Sequence, residues 1–204
     1  MSGHSANTVN APPQAWAEDR VLDRIVLMPG EHAVSWAPAE ITTLLGSCVA
    51  ACLWDSHRHI GGMNHFMLPD TPPDNSRAGE ENRPLRYGLY AMERLVNDLL
   101  VMGAKRQHLV AKVFGGANIT NALDCHNVGH RNCEFVLNFL KTDQIKVAAV
   151  DLGGDHSRRI KFYTDSGKVR VFRGARSDTQ AARQERRYSD LIQKDPVAGG
   201  IVFF

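Results

Sequence analysis

Apolar and polar positions change period several times along the chain, and each change predicts an element. Asp23 to Met28 alternates as a first strand and is stopped by Pro29-Gly30. Ile41 to Trp54 is mostly apolar, interrupted by Gly46-Ser47, and His59 to Leu68 is strand-like as far as Pro69. The polar stretch Asp55-Ser56-His57-Arg58 between them predicts a hairpin turn. Asp70 to Pro84 is rich in proline and small polar residues, the composition of a long surface loop. From Leu85 to Met102 the period lengthens. Leu89, Met92, Val96, Leu99 and Leu100 recur at helical spacing, and Gly103 stands where a glycine ends a helix. Leu109 to Phe114 reads as a strand ending at Gly115-Gly116. Asn132 to Leu140 reads as a second helix with Phe135, Val136, Phe139 and Leu140 as its stripe. Ile145 to Leu152 predicts a buried strand ending at Gly153-Gly154. Arg159 to Tyr163 and Lys168 to Phe172 flank a turn at Thr164-Asp165-Ser166-Gly167. Strands outnumber helices and the helices are interspersed, so the pattern predicts a mixed α/β (α+β) domain.

The two ends differ from this body. Residues 1–20 are rich in Ser, Asn, Ala and Pro and read as a flexible leader, residues 21–174 as the domain, and residues 175–204 as a basic extension. Arg173 just before it and Arg176, Arg183, Arg186 and Arg187 within it predict an exposed helix, packed on the domain in preference to serving as a docking surface, and Ile201-Val202-Phe203-Phe204 closes it with an apolar end.

Composition narrows the function classes. The 204 residues are 43% hydrophobic and 23% charged, enough for a sizeable core. A net charge of +2 argues against a dedicated nucleic-acid binder. No run approaches the roughly eighteen apolar residues of a spanning helix. The first twenty residues lack the basic and apolar regions of a secretory signal, and four cysteines are too few for a disulfide scaffold. The expectation is a cytoplasmic protein with reduced thiols. No Walker-type loop and no GxGxxG opening a helix is present, so no nucleotide cofactor is expected.

Reduced cysteines direct attention to the predicted hairpin. A turn centred between Ser56 and His57 pairs Cys48 with His65 on one face, their Cβ atoms roughly 4.5–5.5 Å apart. A thiol facing an imidazole is the minimal activated nucleophile: the ring accepts the thiol proton and the thiolate attacks. A third group usually orients such a ring. Thr42, six residues before Cys48, shares its face if the strand runs through, and Thr43 would then point away. Gly46-Ser47 permits close backbone approach, and N–H groups there could stabilise an oxyanion.

These residues stand within a longer run of motifs. Leu45-Gly46-Ser47-Cys48-Val49-Ala50 is followed by Gly61-Gly62-Met63-Asn64-His65-Phe66-Met67-Leu68-Pro69, Arg86-Tyr87-Gly88, Ala91-Met92 and Ala111-Lys112-Val113-Phe114-Gly115-Gly116-Ala117-Asn118. Val128-Gly129-His130-Arg131-Asn132, Asp151-Leu152-Gly153-Gly154 and Gly167-Lys168-Val169 complete it. The set, over about residues 40 to 172, resembles the CheD family of chemoreceptor glutamine deamidases. His130 departs from it, standing where the family more often has an acidic residue.

The resemblance implies a central β-sheet layer flanked by helices, related to deamidase toxins of the cytotoxic necrotising type. It implies hydrolysis of glutamine side-chain amides on methyl-accepting chemotaxis receptors, with no metal, and a catalytic domain over 21–174. It places the nucleophile at Cys48, the general base at His65 and the orienting threonine at Thr42. Ser47, Asn64, Gly115, Gly116 and Asn118 are the candidates for holding substrate. A CheC-type phosphatase is a further implied partner, and a non-catalytic adaptor binding receptor or that phosphatase is the alternative function. Two other readings compete. Cys125, His126, His130 and Cys133 offer zinc-type ligands within nine residues, although at an uncommon spacing. A cysteine protease or transglutaminase would share the Cys–His chemistry.

Overall fold

The structure is a computed structural model, and it describes residues 22–69, 83–118, 128–174 and 178–194. The expected leader at 1–20 and the apolar end at 201–204 lie outside the described residues, as does all of the expected loop except Arg83 and Pro84, which open a helix.

The chain is mixed α/β. Its order is β1 (Asp23–Val26), β2 (His32–Ser35), β3 (Ala39–Leu45), β4 (Val49–Asp55), β5 (Ile60–Asn64), α1 (Arg83–Val101), β6 (Leu109–Gly115), α2 (Val128–Thr142), β7 (Lys146–Leu152), β8 (Arg158–Tyr163), β9 (Val169–Arg173) and α3 (Thr179–Lys194). The strands form two sheets, one of four in the order β1-β3-β8-β9 and one of five in the order β2-β5-β4-β6-β7.

Alternation along β4 builds two cores, one on each face of the five-stranded sheet. Val49, Ala51 and Leu53 point one way, into a cluster with Met92, Leu95, Val96 and Leu99 of α1 and Val136 and Leu140 of α2. Cys48, Ala50 and Cys52 point the other way, into a cluster with Ile41 and Leu45 of β3 and Ile160 and Phe162 of β8. Two helices therefore cover one face of the five-stranded sheet, and the four-stranded sheet covers the other. α1 ends as its sequence predicts: Gly103 takes a φ of 99°, and Ala104 N–H bonds the Leu99 carbonyl at 2.9 Å.

Three features differ from the sequence reading. Among the described residues β7 is an edge strand rather than a buried one, paired only with β6, and Val150 is 54% exposed. β2 is a four-residue strand outside the apolar runs, where no period marks it. The third difference is the hairpin register. Asp55 Oδ1 accepts N–H bonds from His57 and Arg58 at 2.9 and 3.1 Å, which centres the turn between those two residues. Asp55 pairs with Ile60, Cys52 with Met63 and Val49 with Phe66. His65 consequently lies opposite Ala50, and Cys48 opposite Met67. The shift is two positions on one strand, so Cys48 and His65 keep the same face but are diagonal neighbours rather than directly opposed.

Candidate active site

Gly46, Ser47 and Cys48 carry the chain from β3 in one sheet to β4 in the other. This crossover is strapped to the end of β6: Gly116 N–H bonds the Cys48 carbonyl at 2.8 Å, and Ala117 N–H bonds the Gly46 carbonyl at 2.7 Å. A Cβ on Gly115 would collide with the Cys48 carbonyl oxygen, and one on Gly116 with Cys133 Sγ. Both glycines also hold positive φ, at 110° and 66°. Their role is to let two backbones meet behind Cys48. Asn132 of α2 adds a second strap, donating to the Ser47 carbonyl and accepting from Leu68 N–H, each at 2.8 Å.

His65 is 1% exposed, between the sheets, with its main chain bonded to Gly30 and Glu31. Its ring meets the four-stranded sheet through Thr43, whose Oγ1 is 2.7 Å from His65 Nδ1. Thr43 is the residue expected to point away, and Thr42 the one expected to orient the ring. The reason for the reversal lies in the crossover. β3 does not run through to Cys48, so face parity counted along one continuous strand fails. Thr43 shares its face with Ile41 and Leu45, inside the sandwich. Thr42 is on the outer face, where its hydroxyl donates to the Ile160 carbonyl at 2.8 Å. Thr42 is therefore corrected to Thr43 as the residue that bonds the ring.

Hydrogen-bond counting assigns the tautomer. The Thr43 hydroxyl has one proton and donates it to the Leu27 carbonyl at 2.8 Å. Towards His65 it can only accept, so the ring proton is on Nδ1. His65 Nε2 is left with its lone pair, buried and without a hydrogen-bond partner among the described residues. Burial pushes the imidazole down to about 3, only partly opposed by the Leu27 carbonyl. The Cys48 thiol is pushed well up by burial, and further by the carboxylate of Glu185. As folded, the pair is a neutral thiol and a neutral imidazole.

Glu185 of α3 completes the environment. Its Oε1 accepts Gly46 N–H at 2.9 Å and Cys48 N–H at 3.0 Å, and its Oε2 accepts the Ser47 hydroxyl at 2.7 Å. Two backbone donors thus converge on one oxygen beside the thiol, the geometry of an oxyanion hole. No sequence signal marks Glu185, because it is far from the hairpin and sits in a polar helix. Tyr87 of α1 is also near the thiol: burial, and then Cys48, raise its hydroxyl to about 12.

A cavity of about 610 Å³ opens beside Ser47. Gly116 and Asn118 line it, together with the start of α2 and one side of α3. Of the five expected substrate-holding residues, Ser47, Gly116 and Asn118 are at this cavity, and Gly115 is behind the crossover. Asn64 is not available to substrate. It is 1% exposed, accepts Ala51 N–H at 3.0 Å and donates to the Ala91 carbonyl at 3.1 Å, so it ties the hairpin to α1. The four zinc-type residues are not assembled by the described structure. His130 pairs with Glu134 on the exposed face of α2, Cys133 is buried against Gly116, and Cys125 and His126 lie outside the described residues.

Known proteins resemble this chain over most of its length. The family model for CheD, described as CheD chemotactic sensory transduction, matches residues 67–173. Similar proteins named "probable chemoreceptor glutamine deamidase CheD" include one from Cupriavidus pinatubonensis, 45% identical over 91% of this chain and 88% of its own length. One from Janthinobacterium sp. (strain Marseille) is 42% identical over 91% and 92%. One from Stenotrophomonas maltophilia is 44% identical over 87% of each. The family model begins after His65, whereas a span of 91% of the chain takes in Cys48, His65 and both threonines.

Proposed function

The chain belongs to the CheD family, and from that premise we propose that it is a protein-glutamine deamidase acting on methyl-accepting chemotaxis receptors, with Cys48 as nucleophile. The observation that carries this reading is the hydrogen-bonded order Leu27 carbonyl, Thr43 hydroxyl, His65 Nδ1–H, which leaves Nε2 as a base on the face it shares with Cys48.

In the reaction, His65 Nε2 takes the thiol proton, and Cys48 Sγ attacks the side-chain carboxamide carbon of a substrate glutamine. The Gly46 and Cys48 N–H groups receive the oxyanion that forms. The Ser47 hydroxyl, 2.7 Å from Glu185 Oε2, faces the place the amide nitrogen would take. As the carbon–nitrogen bond breaks, His65 returns the proton to the leaving nitrogen and ammonia departs. A thioester remains on Cys48. Water, deprotonated by His65, adds to it and releases glutamate and the thiol. The balance is one amide and one water to one carboxylic acid and one ammonia, and the new negative charge is what a receptor helix would register.

Peptide mapping of a receptor cytoplasmic fragment tests this reading. Wild-type protein should convert particular glutamines to glutamate, and Cys48→Ala should not. Binding without conversion would instead support an adaptor. Cleavage of an unstructured protein lost in Cys48→Ala would support a protease. The same reading extends, on the family resemblance alone, to a CheC-type phosphatase as binding partner. Co-elution of the two purified proteins would support it and separate elution would contradict it.

A further inference from the structure

The oxyanion donors are already engaged, and by the side chain that the proposed reaction would produce. Glutamine and glutamate side chains have the same shape. Glu185 places one oxygen on Gly46 N–H and Cys48 N–H, where a substrate carbonyl oxygen would be. It places the other on the Ser47 hydroxyl, where the amide nitrogen would be. The thiol itself is 0% exposed.

α3 is held to the domain by a narrow seam. Ala181, Glu185 and Ile192 are buried, Tyr188 is half-buried beside them, and Leu191 is 56% exposed. These positions recur at helical spacing on one side of the helix, and Glu185, the ionisable member, is buried among them. Tyr188 fits over Gly30, where a Cβ would collide with its ring. At the start of the helix Asp178 accepts N–H bonds from Gln180 and Ala181 at 3.0 and 3.2 Å, and the Ser157 hydroxyl at 2.8 Å. The N-terminus of α3 is thus pinned, while the rest rests on a seam with few apolar side chains. A carboxylate taken this far out of water is retained only where donors receive it, and here all three donors belong to the catalytic crossover.

We propose that α3 is a built-in product mimic: Glu185 occupies the place of the substrate side chain, and a helical segment presenting glutamine must displace α3 to reach Cys48. The occupant that replaces it is a helix because the present occupant is one, offering a side chain of substrate length from its buried stripe. The name of the reaction rests on the deamidase reading above, but closure of the thiol by Glu185 does not. Apparent reactivity of Cys48 equals its intrinsic reactivity scaled by the fraction of molecules in which α3 has moved away.

The test uses the full-length chain. Alkylation of Cys48 by iodoacetamide is followed by peptide mapping in the wild type and in Glu185→Ala. Cys52, 1% exposed in the same inter-sheet core, reports any general loosening. The variant should alkylate at Cys48 at least about tenfold faster, with Cys52 unchanged. Asp178→Ala, which unpins the start of α3 without touching the site, should move Cys48 in the same direction. Glu185→Gln then turns the mimic into a substrate. In that chain the introduced glutamine should become glutamate on its own, and should persist as glutamine when Cys48 is also replaced by Ala. Unchanged Cys48 alkylation in both Glu185→Ala and Asp178→Ala would overturn the closure. So would a rise matched by an equal rise at Cys52. Persistence of the introduced glutamine in a chain that deamidates a receptor fragment would overturn the seating of Glu185 as a product. Faster Cys48 alkylation in a protein that deamidates neither the introduced glutamine nor any receptor would leave the closure standing and remove the deamidase reading.

Discussion

The Thr43 hydroxyl accepts the Nδ1 proton of His65 because its own proton is committed to the Leu27 carbonyl. That one relationship fixes which ring nitrogen keeps its lone pair, and it bridges the two sheets. Thr43→Val should therefore lower the deamidation rate by about tenfold or more through loss of ring orientation. Thr42→Val, whose hydroxyl bonds Ile160 on the outer face, should leave the rate near wild type. Initial rates on a receptor fragment decide between the two threonines. A larger loss from Thr42→Val would restore the assignment expected from the sequence.

The imidazole also makes stability depend on pH. Its folded pKa is about 3 against an ordinary 6.5. Below about pH 6.5 the unfolded chain binds a proton at His65 that the folded chain refuses until near pH 3, so stability is lost progressively as pH falls through that window. His65→Gln removes this contribution. Its melting temperature should fall less steeply than that of the wild type between about pH 6.5 and pH 4, a difference of several degrees. Parallel curves would contradict a buried neutral His65.

Asn132 should matter to the fold more than its polarity suggests. It is 0% exposed and satisfies both the Ser47 carbonyl and Leu68 N–H. Asn132→Ala leaves both without a partner and should cost roughly 2–4 kcal/mol in urea unfolding. A cost within experimental error of zero would mean that neither bond contributes.

The glycine pairs should separate under substitution. Gly115→Ala forces a Cβ into the Cys48 carbonyl at a positive φ, and should cost about 2–4 kcal/mol with loss of activity. Gly153 has positive φ, but among the described residues nothing lies within 4 Å of the point a methyl group would occupy. Gly153→Ala should cost only about 1–2 kcal/mol and spare activity. Equal effects would remove the close-approach argument for Gly115.

The elements that the sequence makes legible are those whose burial follows a simple period. The stripe of α1, the alternation of β8 and the glycine that ends α1 all read directly, because each is decided within a few residues. That Cys48 and His65 share a face is legible because parity on a hairpin survives a two-position slip in the pairing. Thr43 is not, since the crossover at Gly46-Ser47-Cys48 moves the chain between sheets, and parity does not carry across such a corner. Glu185 is not, because nothing local distinguishes a buried glutamate in an arginine-rich helix from its exposed neighbours. Its role exists only through contacts 137 to 139 positions away in sequence. Asn64 differs in the opposite sense: its place beside His65 suggests substrate contact, while its amide is consumed in tying β4 to α1.

The most direct test of Cys48-dependent deamidation is to run the receptor reaction in heavy-oxygen water and map the peptides by mass. Hydrolysis through Cys48 predicts that each new glutamate carries one heavy oxygen, that one ammonia is released per conversion, and that Cys48→Ala yields neither. Conversion that persists in Cys48→Ala, or receptor glutamines left unchanged by wild-type protein that binds the fragment, would contradict the account.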